Sequence, residues 1–461
     1  MMSMPKTIQH YLARHALEDG RSFFVGSREG IDQVVVIPAL AEKDTLLETL
    51  CRLSANPPSD LGRTLVICVV NNRDEGLAAP EDIENNQLTL KLLQYLIDRN
   101  IDASDETDER IRRQCREVIL SGLRPACIDA SSRGMEMPEK GGGVGLARKL
   151  GLDMALRLFD YRSPARKLLL NLDADAWVEP HYLAAVRKSF EDQKVHAAVI
   201  RYAHRPEADH GLQSAICCYE IFLGYYVMGL RFAGSPYAFH AIGSTMVCTA
   251  ESYAAVLGMN RREAGEDFYF LDKLAKLSRM AHIQTTTVYP SARPSRRVPF
   301  GTGRRVIRFL EGRQDEYLLY DPEVFRILGR WLALMPGVVR HDAQTIQEMA
   351  AGIHPRLGSF LELNQFQDVW RRIQKNHSGH EALKKQFHVW FDGFKTMKLI
   401  HYLTDSAFPR IDMFAALKTL FRMMDVPCAM VMNSRTSSNV EEQRKIIDII
   451  GKYNNPNMFL T

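Results

Sequence analysis

The sequence has few cysteines for its length: there are eight among 461 residues, and they are scattered. They show neither the paired spacing of a zinc site nor the density of a small disulfide-stapled domain, so both classes are excluded. We expect reduced and mostly buried thiols. The cysteines are Cys51, Cys68, Cys115, Cys127, Cys217, Cys218, Cys248 and Cys428.

A large excess of one charge is also lacking. The chain has 59 Lys and Arg against 55 Asp and Glu, which gives a formal net charge of +4. Proteins that bind nucleic acid over a broad surface are usually far more basic, so we expect no nucleic-acid partner. A positive site would have to be local. Residues 293–308 form one such stretch with six arginines, which is either a solvated basic loop or an arginine clamp for phosphates.

The sequence has no clean apolar run long enough to predict a membrane span. The longest apolar window, residues 215–232, contains Glu220 and Arg231, and it falls short of the roughly 20 apolar residues that a span needs. We therefore expect a buried helix there. The first 20 residues carry charges where a secretory signal has an apolar core, so we expect a cytoplasmic protein with at most peripheral membrane contact.

What the sequence does contain is an alternation of short apolar strands and amphipathic helices. Continuous apolar runs rich in β-branched residues are typical of strands buried on both faces of a parallel sheet. The alternation predicts an α/β fold with an open mixed sheet flanked by helices. We divide the chain into a helical lead-in (1–30), an α/β domain (31–310, with an insertion at about 75–125) and a helical C-terminal region (311–461). Strands are predicted at residues 34–37, 64–70, 126–129, 167–172, 197–202, 245–248 and 283–288.

Two acidic pairs are candidates for chemistry. Asp173 and Asp175 directly follow the predicted strand 167–172, and ligands of open α/β sheets bind beyond the carboxyl ends of strands. In extended backbone both carboxylates would point the same way and suit Mn²⁺ or Mg²⁺; a solvated turn is the alternative. Glu266 and Asp267 begin a predicted helix. Either their negative charges stabilise the positive N-terminal end of the helix dipole, or one of them acts as a general base.

A glycine-rich loop precedes another helix, with glycines at positions 141, 142, 143 and 145. We expect this loop to let backbone approach a ligand, and the helix start to offer amide groups to an anion. A dinucleotide fold would need its glycines in the first strand–helix turn, and residues 38–42 contain none. A dehydrogenase is therefore disfavoured.

In their order and spacing, five segments resemble the family 2 type of GT-A nucleotide-sugar glycosyltransferases. The resemblance covers roughly residues 31–305 and leaves the insertion and the C-terminal region uncovered. The segments are VVVIPALAEKDTLLETL (34–50), VVNNRD (69–74), GGGVGLARKLG (141–151), NLDADAWVEPHYL (171–183) and GEDFYFLDKL (265–274).

The resemblance implies a role for individual residues. Asp173 and Asp175 would hold Mn²⁺ or Mg²⁺ on the diphosphate of the donor, with His282 as a further ligand. Asp267, beside Glu266, would be the catalytic base, and Gly243 and Ser244 would lie beside the acceptor. The family usually has acids where this chain has Asn71 and Asn72, which leaves the base preference open. The nucleotide would contact Pro38, Ala39, Glu42, Asn72 or Asp74, Arg148, Asp173 and Arg304.

The resemblance implies a GT-A fold and a metal-dependent enzyme that moves a hexosyl group from a nucleoside-diphosphate sugar to an acceptor hydroxyl, with inversion. The acceptor is open: it could be a saccharide, a small molecule or a lipid-linked group. A homo-oligomer is also open. The alternatives are a retaining enzyme of the same fold and a non-catalytic relative that binds nucleotide or a partner. A sugar-nucleotide pyrophosphorylase is disfavoured because residues 38–44 lack its glycine- and arginine-rich turn.

Overall fold

The computed structural model describes residues 3–17, 20–74, 76–100, 102, 108–294, 301–312, 315–426 and 440–454. These fall into two compact units. The first, called the sheet unit, contains Met1–Arg205 and Ala241–Ala292 in their described parts. The second, called the helical unit, contains Pro206–His240 and the described part of Gly301–Thr461. Residues 210–232, assigned from sequence to the α/β domain, thus cluster with the helical unit.

The seven predicted strands are all present with small shifts at their ends, and four further strands of two or three residues were not predicted. The sheet unit contains the first nine, and the helical unit contains a two-stranded ribbon made of the last two. They are β1 (Phe23–Val25), β2 (Gln33–Ala39), β3 (Thr64–Asn71), β4 (Pro125–Ala130), β5 (Leu168–Asn171), β6 (Trp177–Val178), β7 (Ala197–Tyr202), β8 (Met246–Thr249), β9 (Ala281–Tyr289), β10 (Leu318–Leu319) and β11 (Ile411–Asp412).

The helices flank the sheet or form the helical unit. They are α1 (Lys6–Arg14), α2 (Lys43–Ser54), α3 (Pro58–Leu61), α4 (Pro80–Asp98), α5 (Glu109–Ser121), α6 (Val144–Leu158), α7 (Tyr182–Ser189), α8 (His210–Phe232), α9 (Ala250–Ala255), α10 (Glu266–Leu277), α11 (Thr302–Leu310), α12 (Pro322–Val338), α13 (Ala343–Ile353), α14 (Pro355–Leu363), α15 (Phe366–Asn376), α16 (His380–Trp390), α17 (Gly393–Ser406), α18 (Met413–Met423) and α19 (Val440–Tyr453).

The central sheet has the strand order β1-β4-β3-β2-β5-β8-β7-β9-β6. Strands β4, β3, β2 and β5 are parallel, and β8 runs antiparallel to both of its neighbours. The residues of β3, β4 and β5 are buried throughout, as the continuous apolar runs predict. The predicted fold class, an open mixed α/β sheet flanked by helices, is confirmed.

Two parts of the sheet unit differ from the sequence expectation. Residues 23–25 form the edge strand β1, paired with β4, within what was predicted as a helical lead-in. Pro38 is the last residue but one of β2, beyond the predicted end at residue 37; this is possible because pairing with β5 stops at Val36 and only β3 continues alongside. A proline without an amide hydrogen is tolerated where one side of the strand is no longer paired.

The segment predicted as an insertion forms the crossover between β3 and β4. Helix α4 packs against β3 and β4, and α5 packs against α2. Its buried residues, among them Leu93, Leu96 and Cys115, complete the core on that face of the sheet. Residues 75, 101 and 103–107 of this segment lie outside the described residues.

Helix α6 is fixed by contacts of Gly151 and Asp153 in its interior, which matters because the helix carries Arg148. Gly151 lets it lie close to β2: a Cβ there would approach Val36 Cγ1 to 2.4 Å. Asp153, which is 1% exposed, accepts hydrogen bonds from the hydroxyls of Tyr11 on α1 and Tyr253 on α9, each at 2.7 Å. The N-terminal helix is thereby tied to the same core.

The helical unit confirms the predicted helical C-terminal region. Its core packs aromatic residues from several helices, with Trp331 in edge contact with Phe366, Phe387 and Phe391. Helix α8 is long and apolar enough to cross a membrane by length and composition, but 61% of its most apolar window is buried inside the protein. That burial agrees with the predicted buried helix. Among the described residues, the seven cysteines form no disulfide, and Cys428 lies outside them.

Candidate active site

The candidate site lies where the strand order of the sheet reverses. The chain runs from β2 outward to β3 and β4, and then returns to the other side of β2 as β5. A crevice forms beyond the carboxyl ends of strands at such a switch point. Pro38 and Ala39 end β2, and Asp173 follows β5, whose last residue Asn171 pairs with Val36. Pro38, Ala39 and Asp173, which were predicted to contact nucleotide, therefore lie at the carboxyl ends of two adjacent parallel strands.

Asp173 and Asp175 lie in a turn and not in extended backbone. Strand β5 ends at Asn171, and the amide of Ala176 donates to the carbonyl of Asp173 at 3.2 Å. The strand alternation used to predict that both carboxylates point the same way does not apply here, because a turn rotates successive side chains differently. Both aspartates are half-buried.

Arg148 joins the turn after β5 to the start of α10. Its Nη2 donates to Asp173 Oδ1 at 2.5 Å, and its Nε donates to Glu266 Oε1 at 3.2 Å. The Arg148 side chain is 3% exposed. The hydroxyl of Ser244 donates to the second oxygen of Asp173. Three segments that are distant in sequence thus meet around one buried cation.

Burial and ion pairing act in opposite directions on Arg148. Desolvation lowers the pKa of the guanidinium, but the combined attraction of Asp173, Glu266 and Asp267 outweighs it and the net shift is upward. Burial raises the pKa of Glu266 against the attraction of Arg148. Nη1 of Arg148 has no hydrogen-bond partner within the described part of the chain. One buried donor is therefore left for a further group.

Asp267 lies in the first turn of α10, next to Glu266. Desolvation, followed by repulsion from Glu266, raises the pKa of its carboxyl group to about 7. The amide of Phe268 donates to Asp267 Oδ1 at 2.7 Å, which limits the shift because it favours the charged form. A carboxyl group with this pKa exchanges a proton near neutral pH, as a general base must.

The glycine loop packs against its own chain, at residues 260–263. A Cβ at Gly143 would come within 2.6 Å of Glu263 Cα, and one at Gly145 within 2.6 Å of the carbonyls of Asn260 and Arg262. The amide of Gly145 donates to the Arg262 carbonyl at 3.2 Å. This corrects the expectation of an anion site at the start of α6, since residues 260–263 lie against that end of the helix.

The other residues predicted to contact the nucleoside are in different settings. Glu42 precedes α2, and Thr45 Oγ1 donates to its Oε2 at 2.5 Å. Asn72 is 2% exposed, and Asn86 Nδ2 donates to its side-chain oxygen at 2.9 Å. Asn72 thus holds the end of β3 in place. Asp74 is exposed, and it accepts the amide of Gly76 at 3.0 Å.

Asn86 was not singled out from the sequence. It is fully buried on α4, and besides Asn72 it contacts the first strand–helix turn by accepting the amide of Ala41 at 2.8 Å. Ala41 has a positive φ of 51°, which is costly for a residue with a Cβ. A polar residue on an otherwise apolar helix face is a signal for such a role, but its partners cannot be read from the sequence.

His282 is not brought into this cluster. His282 lies on β9, three strands from β5 at the level of Asn171, which is roughly 14 Å at about 4.8 Å per strand. Arg304 lies on α11 in the helical unit. Of the predicted arginine-rich stretch, residues 295–300 lie outside the described residues.

Gly243 gives a direct test of the arrangement around Arg148. A Cβ at Gly243 would approach Arg148 Nη2 to 2.3 Å, and two ion pairs prevent the guanidinium from swinging away. We expect Gly243→Ala to lower the free energy of unfolding by about 1–3 kcal/mol, as for other overpacked sites. Urea unfolding measures the change. Gly26→Ala, whose Cβ would meet an ordinary contact at 3.8 Å, is the control, and equal effects of the two substitutions would contradict the expectation.

Comparisons with known proteins give the following result. No model of a known protein family matches the chain, and no curated protein matches it in sequence. Among solved structures, the chain is similar to S. aureus TarS 1–349 in complex with UDP-GlcNAc, with 12% identity over 92% of this chain and 92% of that chain and a TM-score of 0.35.

Two further solved structures are similar to the chain. One is the mannosyltransferase PcManGT from Pyrobaculum calidifontis in complex with GDP-Man and Mn²⁺, with 12% identity over 98% of this chain and 95% of that chain and a TM-score of 0.35. The other is M. tuberculosis glucosyl-3-phosphoglycerate synthase, with 16% identity over 69% of this chain and 89% of that chain and a TM-score of 0.30.

Proposed function

We propose that this chain is a metal-dependent glycosyltransferase that moves a hexosyl group from a nucleoside-diphosphate sugar to an acceptor hydroxyl with inversion. The observation that carries the proposal is the bridge from Asp173 through Arg148 to Glu266. It connects the switch point of the sheet, where a nucleotide would bind, to the helix start that holds Asp267. A donor site and a base are thereby linked through one buried cation.

For donor binding we propose the crevice beyond β2 and β5. Pro38 and Ala39 are the last two residues of β2, Glu42 lies in the turn after them, and Asp74 is the exposed acid after the neighbouring β3. Nη1 of Arg148 has no partner among the described residues, so it could donate a hydrogen bond to an oxygen of the ligand. Because two nitrogens of this guanidinium are already paired, its orientation is fixed. The third nitrogen can therefore donate to a ligand oxygen in one direction only.

The carboxylates also fit a divalent cation. Within the described residues, no group of three or more His, Cys, Asp and Glu side chains forms a ready-made metal site. Mg²⁺ usually needs only one or two carboxylates together with substrate phosphates, and Mn²⁺ suits oxygen ligands as well. We assign Asp173 and Asp175 together as ligands of this cation, since both follow β5 in one turn and both are half-buried. When bound, the cation would offset negative charge on the departing diphosphate.

In the proposed reaction, the acceptor oxygen forms a bond to the anomeric carbon while the bond from that carbon to the diphosphate oxygen breaks. The nucleoside diphosphate leaves with the bonding electron pair. Asp267 in its charged form takes the proton of the acceptor hydroxyl. Attack from the side opposite the leaving group inverts the configuration, and the anomer of the product distinguishes this from a retaining reaction.

Nucleotide binding tests the donor site. We expect UDP or GDP with Mn²⁺ to raise the melting temperature, because a ligand at a hundredfold excess over its Kd stabilises by about 2.7 kcal/mol. Asp175→Ala should abolish the part of this shift that depends on Mn²⁺. Asp192→Ala is a suitable control, since Asp192 is an exposed turn acid that precedes β7 and accepts the Lys194 amide at 3.0 Å. An unchanged Mn²⁺-dependent shift in Asp175→Ala would show that the metal assignment is wrong.

A further inference from the structure

The turn that carries Asp173 and Asp175 is held by side chains from outside it. Thr49 Oγ1 on α2 lies 2.9 Å from the carbonyl oxygen of Ala174 and 3.0 Å from that of Ala176. Arg205 Nη2 donates to the intervening carbonyl of Asp175 at 3.2 Å. Three successive carbonyls of this turn are therefore contacted by two side chains from elsewhere in the sheet unit, Thr49 on α2 and Arg205 after β7.

The same turn is fixed at its far end by Trp177. The guanidinium of Arg205 lies 4.3 Å from the centre of the Trp177 ring, and that of Arg52 lies 4.2 Å from it. Two cations at this distance from one indole are each attracted to its electron-rich ring. Arg205 thus contacts both the backbone of Asp175 and the side chain two residues later, which restrains the turn in two directions.

The position of Thr49 is unusual for a threonine in a helix. It is fully buried on a face of α2 that otherwise presents Leu46, Leu50 and Leu53 to the core. A helical threonine commonly bonds the carbonyl four residues earlier in its own helix. This one instead reaches a segment 125 and 127 residues away. A buried hydroxyl costs free energy unless it is hydrogen-bonded, so its two carbonyl partners explain why a polar group is tolerated there.

We infer that Thr49 and Arg205 are positioning residues that set the orientation of Asp175 for a divalent cation and a diphosphate. This inference rests on the proposed function. Neither residue needs to touch substrate. Thr49 acts through the carbonyls of the two residues that flank Asp175, and Arg205 acts through the carbonyl of Asp175 itself. Groups that orient a metal ligand typically change metal affinity about 10- to 100-fold when they are removed.

The test compares three threonine variants and Arg205→Met, all in the full chain, with the wild type. Thr49→Val keeps the shape and removes the hydroxyl, and Thr49→Ser keeps the hydroxyl and removes the methyl group. Thr64→Val is the matched control, because Thr64 is also fully buried with one hydrogen bond, to the carbonyl of Asp60 at 2.8 Å, but lies at the amino end of β3. Melting temperatures establish that each variant is folded.

Two readouts are measured. In titrations with Mn²⁺ at saturating UDP or GDP, we expect Thr49→Val to weaken the apparent Mn²⁺ affinity about 10- to 100-fold, while Thr49→Ser and Thr64→Val stay close to the wild type. In hydrogen–deuterium exchange without ligand, the amides of residues 174–178 should, among the threonine variants, exchange faster only in Thr49→Val. Arg205→Met should change both readouts in the same direction.

The outcomes separate the inference from the proposed function. If the wild type binds nucleotide with Mn²⁺ and Thr49→Val binds equally well, the positioning role is overturned. It is also overturned if Thr49→Ser behaves like Thr49→Val, because packing and not the hydroxyl would then matter. If the wild type binds no nucleotide with Mn²⁺, the proposed function fails. Exchange of residues 174–178 then decides whether Thr49 fixes this turn, and unchanged exchange in Thr49→Val rejects that too.

Discussion

Replacing Asp267 with asparagine is expected to lower kcat by about 10²–10⁴, the usual contribution of a general base. Asparagine keeps the size of the side chain but cannot take a proton from an acceptor hydroxyl. Nucleotide binding should remain, because Asp267 is not among the residues that we assign to the nucleotide or the cation. Steady-state rates and nucleotide titrations on the same preparation measure the two effects. Equal losses in both would indicate a structural role for Asp267.

The pH dependence gives this prediction a second readout. The base acts in its charged form, and its pKa is about 7, so kcat/KM of the wild type should rise with pH up to about 7 and then level off. In Asp267→Asn the residual rate should lose this dependence.

The contribution of Asp267 to the stability of the fold should instead fall as pH rises. A carboxyl group whose pKa is higher in the folded state stabilises the fold at pH values below its unfolded pKa of about 3.9. That contribution is lost as pH rises through about 7. Above pH 7 the uncharged asparagine should therefore not destabilise the protein relative to the wild type, so that unfolding cannot explain a loss of rate.

The matched control for Asp267→Asn is Asp272→Asn. Asp272 lies on the same helix and is 5% exposed, and it pairs with Lys276 at 2.7 Å. Its replacement should lower stability because it leaves Lys276 without this carboxylate, while kcat should stay near the wild-type value. A comparable fall in kcat in both variants would mean that any disturbance of α10 lowers the rate, and the assignment of Asp267 as the base would lose its support.

Replacing Arg148 with methionine is expected to lower the free energy of unfolding by about 3–5 kcal/mol at pH 7, the usual cost of removing one partner from a buried ion pair. Methionine fills part of the space but leaves Glu266 buried and Asp173 half-buried without the cation between them. Activity should be lost as well. Urea unfolding measures the stability, and the loss should shrink as pH falls, because burial raises the pKa of Glu266 and protonation removes its uncompensated charge.

Two companions to Arg148→Met separate charge from packing. The double variant Arg148→Met/Glu266→Gln should recover part of the lost stability, because it removes a carboxylate that the single variant leaves uncompensated. Arg371→Met is a surface control: Arg371 pairs with Asp368 at 3.2 Å, and the two side chains are 58% and 71% exposed. Exposed pairs contribute about 0–1 kcal/mol. A loss at Arg148 no larger than that at Arg371 would contradict the central role of the bridge.

Much of the sheet could be predicted from the sequence, because burial on both faces requires continuous apolar residues. The runs at β2, β3 and β5 contain little else, and their order along the chain predicts an open α/β sheet. The positions of Asp173 and Glu266 at a strand end and a helix start were predicted for the same reason: local pattern determines where an element ends. Edge strand β1, only three residues long, gave too short a pattern to be detected.

The partners of these residues were decided only by the tertiary structure. Arg148 is 25 residues from Asp173 and 118 from Glu266, and Asn86 and Thr49 find their partners across similarly long separations. Such contacts depend on which strand returns beside β2 and on how closely α6 packs at Gly151, and no local pattern encodes either. The sequence determined which elements form, and it placed Asp173 after a strand and Glu266 at the start of a helix. The fold decided that the glycine loop packs on its own chain and that one arginine joins those acids.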